Sequence, residues 1–128
     1  MKKSYNNGVE ATLGVISGKW KPQILCHLGN HPQRTCDLRQ ALPAISQKVL
    51  TQQLRELTAD AIITRRVYGD RAPFKVVYEL TELGRSLGQI LVQMSLWGEQ
   101  RASQLPDMEI QHDHAGFTHI LERQGRVL

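Results

Sequence analysis

The chain has 128 residues, the size of one domain, and a formal net charge of +4. Its two cysteines are too few for a disulfide framework, which favours a reducing compartment, and we expect a cytoplasmic protein. No apolar run approaches the ~18 residues that a membrane helix needs, so no membrane partner is expected. The basic N-terminus is not followed by an apolar segment, which argues against a secretory signal.

The first two helices are predicted from apolar spacing and from residues that begin or end helices. Val9 and Leu13 stand at helical spacing before Gly18, which predicts a short first helix. Pro22 suits the first turn of a second helix, because its missing amide costs nothing there, and that helix is expected to end near Gly29.

The next stretch predicts a helix-turn-helix motif. Thr35 is the expected cap of a short helix, 36–41, and Pro43 interrupts the chain after it. Ser46 is a good N-cap for a second helix that runs to about residue 60. The apolar stripe of this second helix is Leu50, Leu54, Leu57 and Ala61. Two helices joined in this way place the second one in the major groove of DNA.

The opposite face of the second helix carries side chains that donate and accept hydrogen bonds. In the major groove, Arg or Lys pairs with guanine and Gln pairs with adenine. With the capping serine, the predicted DNA-reading residues are Ser46, Gln47, Lys48, Thr51, Gln52 and Arg55. An ordinary amphipathic surface helix shows the same spacing, so this stretch alone does not decide between the two.

After residue 60 the apolar period changes from about 3.6 to 2. Two β-rich stretches, 62–68 and 75–80, flank a turn, and a hairpin in this position makes a winged helix. The wing and the first helix of the motif are expected to hold the phosphate backbone without reading sequence. The residues predicted for this role are Arg34, Arg39, Arg65, Arg66 and Arg71.

Positive charge is concentrated in the same region. Residues 34–75 contain eight basic and four acidic side chains, so their net charge is +4 and that of the remaining chain is zero. Such a local excess is typical of a surface that binds a polyanion. Chance clustering on a solvated face is the alternative.

Thr81 is the expected cap of one long helix, 82–105, that ends before Pro106. Its apolar stripe is large for so small a domain, which favours pairing with a second copy, aided by the first helix. Gly84 and Gly88 would let another backbone approach closely. The predicted dimer-interface residues are Val9, Leu13, Trp20, Leu87, Leu91, Met94 and Trp97. Packing of the stripe wholly within one chain is the alternative.

These elements divide the chain into a winged-helix domain, 1–105, and a C-terminal tail of unknown role, 106–128. The tail is polar, and a loosely docked helix is expected around Phe117 and Ile120. The overall expectation is a mainly α-helical fold with a small β-hairpin, which dimerises through its N- and C-terminal helices.

The cysteines and histidines were considered as a redox sensor, as metal ligands and as catalytic groups. Cys36 is expected at the start of its short helix, where the helix dipole can lower a thiol pKa, so it is the possible sensor thiol. An inert exposed thiol is the alternative, and Cys26 is expected in the core. His27 and His31, and the tail cluster of His112, Asp113, His114 and His119, lack a convincing ligand set, so no metal or cofactor is expected. No catalytic motif occurs, and an enzyme is not expected.

A series of short motifs follows in order from about residue 9 to residue 98. They are Gly18-Lys19-Trp20-Lys21, Leu38-Arg39, Pro43-Ala44-Ile45-Ser46, Lys48-Val49-Leu50-Thr51, Leu54-Arg55-Glu56-Leu57, Val67-Tyr68, Tyr78-Glu79-Leu80-Thr81 and Trp97-Gly98. This pattern resembles the HxlR-type transcription regulators, which are winged-helix proteins related to the MarR group.

The resemblance implies a bacterial homodimer that binds a two-fold operator and responds to a small reactive molecule or metabolite. On that basis we expect a sequence-specific regulator of double-stranded DNA, acting as a repressor. Many members carry a sensor cysteine just before the first helix, where this chain has Gly8. An effector cavity between dimer helices, lined by Trp20, Met94 and Trp97, is conceivable, although plain packing is commoner. The alternative function is a winged-helix module that binds proteins and no specific DNA.

Overall fold

The computed structural model describes residues 2–111 and 116–123, with side chains as far as residue 120. Within these ranges the helices and strands are α1 (Gly8–Ile16), α2 (Lys21–Leu28), α3 (Thr35–Ala41), α4 (Gln47–Ala59), β1 (Ile63–Tyr68), β2 (Lys75–Leu80), α5 (Glu82–Ser86), α6 (Gly88–Ser103) and α7 (Thr118–Arg123). This order is that of a winged helix with flanking helices, which confirms the predicted mainly α-helical fold with a small β-hairpin.

Helices α3 and α4 form the predicted helix-turn-helix. The Ser46 hydroxyl accepts a hydrogen bond from the Val49 amide at 3.1 Å, so the predicted cap of α4 is confirmed. Leu50, Leu54 and Leu57 are buried in the core. The stripe stops there, because α4 ends at Ala59 and the next alanine, Ala61, is exposed with a positive φ of 60°. The assignment of Ala61 to the stripe was therefore wrong.

Helix α3 begins one residue earlier than predicted. Thr35 is already helical, and Arg34 occupies the N-cap position with extended backbone. The carboxylate of Asp37 accepts a hydrogen bond from the Arg34 amide at 2.9 Å, which satisfies one of the donors that a helix start leaves unpaired. Cys36 is consequently the second residue of the helix, not the first.

The wing is an antiparallel hairpin of β1 and β2, as predicted, with Ile63 opposite Leu80 and Tyr68 opposite Lys75. A third segment joins it, which sequence patterning missed. Gln33 exchanges two backbone hydrogen bonds with Tyr78, at 2.8 and 2.9 Å. The wing is thereby tied to the chain between α2 and α3.

The predicted long helix, 82–105, is interrupted at Leu87, so its continuity was wrongly predicted. The Leu87 amide donates to the Gly84 carbonyl three residues back at 3.1 Å, which is the tighter turn of a 3₁₀ step. Close approach by other elements accounts for the two glycines. A Cβ on Gly84 would overlap the carbonyl oxygen of Ile62, and one on Gly88 would lie 2.7 Å from the ring of Phe117.

That ring belongs to the tail, in which residues 117–120 pack against the domain. Phe117 is 1% exposed and fills a slot between Gly88 and Gly29, where an added Cβ would meet the ring at 2.8 Å. The side chain of Asn30 accepts from the Thr118 amide at 3.2 Å, and Ile120 is buried beside α6. A helix at this place was predicted, and its anchor is a buried aromatic ring.

No helix within the described ranges is both long enough and apolar enough to cross a lipid bilayer.

Candidate nucleic-acid interface

The outward face of α4 is exposed to solvent. All six side chains predicted to read DNA are exposed, on the side of the helix opposite its buried leucines. Within this face the Gln47 amide donates to the Thr51 hydroxyl at 3.1 Å, one helical turn away. The Gln52 amide likewise donates to the Glu56 carboxylate at 3.0 Å. Two of the side chains predicted to read DNA, Gln47 and Gln52, are therefore held by a hydrogen bond within the helix.

A concave cleft lies between α4 and the wing. It encloses about 570 Å³, and its lining includes Thr51 and Arg55 from α4 and Arg65 from β1. Two guanidinium groups facing one cleft suit an anion such as a backbone phosphate. Because successive strand residues point to opposite faces of a sheet, Arg66 faces away from this cleft. The structure thus distinguishes two arginines that the sequence could not.

The remaining predicted backbone contacts are also exposed. Arg71 lies in the turn between the strands, Arg34 caps α3, and Arg39 lies in the last turn of α3. In the part of the chain that the structure describes, none of the cations proposed to meet DNA forms an ion pair with a carboxylate. Their charge is therefore available to an external anion.

Two of the four carboxylates in this basic region are neutralised by lysines from outside it. Glu56 pairs with Lys21 of α2 at 2.8 Å, and Asp60 pairs with Lys3 near the N-terminus at 3.5 Å. Hydrogen bonds from Lys21 and Gln52, and the charge of Lys21, hold the pKa of Glu56 below its ordinary value. The surface is thus more positive than its local sequence suggests.

A second surface is apolar and lies on α1 and α6. Val9 is 71% exposed and Trp97 is 68% exposed, and Leu13 and Met94 are about half exposed. Ile90, which the predicted interface omitted, lies with Met94 and Trp97 around a shallow concavity of about 510 Å³. We call Ile90, Met94 and Trp97 the apolar face of α6.

Three predicted interface residues lie elsewhere. Leu87 is 9% exposed and Leu91 is 3% exposed, so both pack into the core of their own chain, and their assignment to the dimer interface was wrong. Trp20 is half-buried against the core, and the Lys19 ammonium lies 4.8 Å from its ring centre. The concavity on α6 contains Met94 and Trp97 but not Trp20.

The two cysteines have different environments. Cys26 is half-buried, and burial raises the pKa of its thiol to about 11, which disfavours the reactive thiolate. Cys36 is exposed, with its sulfur 4.0 Å from a carboxylate oxygen of Asp37. Both are free thiols.

The histidines and the cysteines were also considered as metal ligands. Among the described residues, no group of three or more His, Cys, Asp and Glu side chains is placed to hold a metal ion. His31 is exposed, and its Nδ1 lies 3.0 Å from the Pro32 carbonyl oxygen. His112, Asp113 and His114 of the tail cluster lie outside the described ranges.

Comparisons with known proteins agree with this arrangement. A family model described as HxlR-like helix-turn-helix matches residues 15–106. A Bacillus subtilis protein named as an uncharacterised HTH-type transcriptional regulator, YtcD, is 58% identical over 97 residues, which are 76% of this chain and 76% of that protein.

Solved structures show the same likeness. The redox regulator HypR in its reduced form matches with a TM-score of 0.71 and 47% identity, over 74% of this chain and 93% of that one. Diamide-treated YodB from Bacillus subtilis matches with a TM-score of 0.62 and 33% identity, over 71% of this chain and 89% of that one.

Proposed function

Because the chain belongs to the HxlR-like helix-turn-helix family of transcriptional regulators, we propose that it binds a specific double-stranded DNA sequence as a homodimer. It acts in the cytoplasm as a repressor and not as an enzyme. The observation that carries the proposal is the outward face of α4, where amide, hydroxyl and cationic groups are exposed together beside a cleft that holds Arg55 and Arg65.

The two elements have different tasks. Helix α4 has 13 residues, so at about 1.5 Å per residue it is about 20 Å long and fits a major groove about 12 Å wide. Its amides and cations meet base edges there. The wing and α3 supply arginines that contact phosphates, which positions the protein but carries no sequence information.

The homodimer forms through the exposed apolar residues of α1 and the apolar face of α6. Water solvates these side chains poorly, so a second copy that covers them lowers the free energy. A symmetric pair presents its two α4 helices to successive major grooves, about 34–36 Å apart along the duplex. The operator is accordingly two-fold symmetric.

A selection experiment tests the proposal and identifies the operator sequence at the same time. Duplexes enriched from a random-sequence pool are titrated beside scrambled versions at several salt concentrations. We expect at least about 10³-fold tighter binding to the enriched duplex, and weaker binding to both as salt rises. Equal affinity for both would contradict sequence-specific binding. Absence of salt-sensitive binding to any duplex would favour the protein-binding module.

The names of two related structures suggest a response to a small reactive molecule, since HypR is called a redox regulator and YodB was treated with diamide. In this chain such a response acts through Cys36, because it is the exposed one of the two thiols. At neutral pH, N-ethylmaleimide is expected to label Cys36 quickly and Cys26 slowly, as mass spectrometry of peptides would show.

Diamide is then expected to change DNA affinity in the wild type and not in Cys36→Ser. An equal response of the Cys36→Ser variant would exclude Cys36 as the sensor.

A further inference from the structure

Lys21 is a cation in an unusual place. It is the first residue of α2 and is only 9% exposed, and among the described residues it is the one charged side chain that is buried. Its ammonium lies 2.8 Å from one oxygen of the Glu56 carboxylate on α4. A buried charge is costly unless it is paired, so this contact accounts for how Lys21 is tolerated there.

The second carboxylate oxygen of Glu56 is used on the outer side of the helix. It accepts a hydrogen bond from the Gln52 amide nitrogen at 3.0 Å, one turn away. The two hydrogen bonds and the positive charge of Lys21 keep the pKa of Glu56 low, so the carboxylate is ionised at neutral pH. An ionised carboxylate accepts hydrogen bonds and donates none, so the Gln52 amide must turn its NH₂ group towards Glu56.

This orientation determines which hydrogen-bonding groups of the Gln52 amide face the solvent. Its carbonyl oxygen remains available, together with the second hydrogen of its NH₂ group. In the major groove, adenine presents a donor and an acceptor side by side, which match that pair of groups. A free glutamine would rotate its amide and would also match edges with the opposite order of donor and acceptor.

We propose that Lys21 and Glu56 are positioning residues for DNA recognition, which orient the Gln52 amide so that it prefers adenine at the base pair it meets. The inference rests on the proposed function. It assigns a role in base preference to a buried lysine of α2 that lies 35 residues before its partner in sequence. If the pair served only to hold α2 against α4, its loss would lower stability and leave base preference unchanged.

The test uses the full-length protein and an enriched duplex in which each base pair is varied in turn. Gln52→Ala identifies the base pair that Gln52 reads, where the wild type is expected to prefer adenine by about 5- to 150-fold. Glu56→Gln keeps the size of the side chain but can donate as well as accept. It is expected to lower that preference by about threefold or more, the gain from holding one side chain in place.

Lys21→Met, which keeps the length without the charge, is expected to lower the same preference. Asp60→Asn is the matched control, because it also neutralises a lysine-paired carboxylate at the end of α4 and should affect all duplexes alike. Circular dichroism verifies that each variant is folded. If Lys21→Met does not fold, Glu56→Gln decides the question by itself.

The outcomes separate the two claims. Suppose that Gln52→Ala abolishes the preference for adenine at one base pair and that Glu56→Gln leaves the same preference unchanged. This result would overturn the positioning role and leave the regulator proposal intact. A Gln52→Ala variant with unaltered preference at every position would also overturn the positioning role. A wild-type protein that discriminates at no base pair would overturn both.

Discussion

Helices α4 and α6 bury one side in the same core, yet their outward sides differ in chemistry. The outward side of α4 is made of amides, hydroxyls and cations, whereas that of α6 carries Ile90, Met94 and Trp97. The first set is well solvated and suits a polyanion, whereas exposure of the second set to water costs free energy until an apolar partner covers it. The outward side of a helix, and not its buried stripe, therefore indicates which kind of partner it meets.

The largest effect is expected from a charge on the apolar face of α6. Trp97→Glu should raise the dissociation constant of the dimer by at least about 100-fold, because it removes a large apolar contact and places a carboxylate in an apolar interface. Sedimentation velocity over a range of concentrations measures this. Gln40→Glu adds the same charge at an exposed polar position on α3, outside the proposed interface, and should leave the dimer intact. Equal behaviour of the two variants would refute an interface at Trp97.

A smaller effect separates the two arginines of β1. Arg65→Ala should weaken binding to all duplexes by about tenfold and reduce the steepness of the salt dependence by about one unit, as loss of one phosphate contact does. Arg66→Ala should have a weaker effect, because Arg66 lies on the opposite face of the hairpin. Fluorescence anisotropy at four salt concentrations distinguishes them. A larger loss in Arg66→Ala would place the DNA on the other face.

The smallest effect concerns acid stability. The pKa of Glu56 is lowered from 4.5 in the folded protein, so its pairing stabilises the fold above that value and is lost as pH falls through the lower folded-state pKa. The difference in free energy of unfolding between the wild type and Glu56→Gln should be constant near neutral pH and shrink below pH 4.5. Urea denaturation at a series of pH values measures this. A difference that persists in strong acid would contradict the assignment.

The elements that sequence patterning predicted well are those with local causes. Ser46 caps α4 through a bond to an amide three residues away, and the leucines of α4 repeat at the helical period. The hairpin follows from two β-rich stretches around a turn. Each of these signals lies within about ten residues of the element it specifies.

The predictions that failed depend on contacts between residues that are far apart in the sequence. Leu87 and Leu91 belong to the apolar stripe of the predicted helix 82–105, but which part of a stripe faces the core depends on the elements packed against it. The interruption at Leu87 accompanies close packing of Phe117, some thirty residues later, on Gly88. The pairing of Lys21 with Glu56 joins two motifs whose residues were predictable but whose contact was not.

Local sequence was sufficient to specify the winged helix, the position of α4 and the sign of the charge around it, because caps, apolar periods and turns act over short distances. The tertiary structure alone decided which arginine of β1 faces the cleft, which part of the α6 stripe remains exposed, and which carboxylates are neutralised. These depend on burial and charge pairing between residues far apart in the chain, and packing selects among arrangements that the local sequence leaves equal.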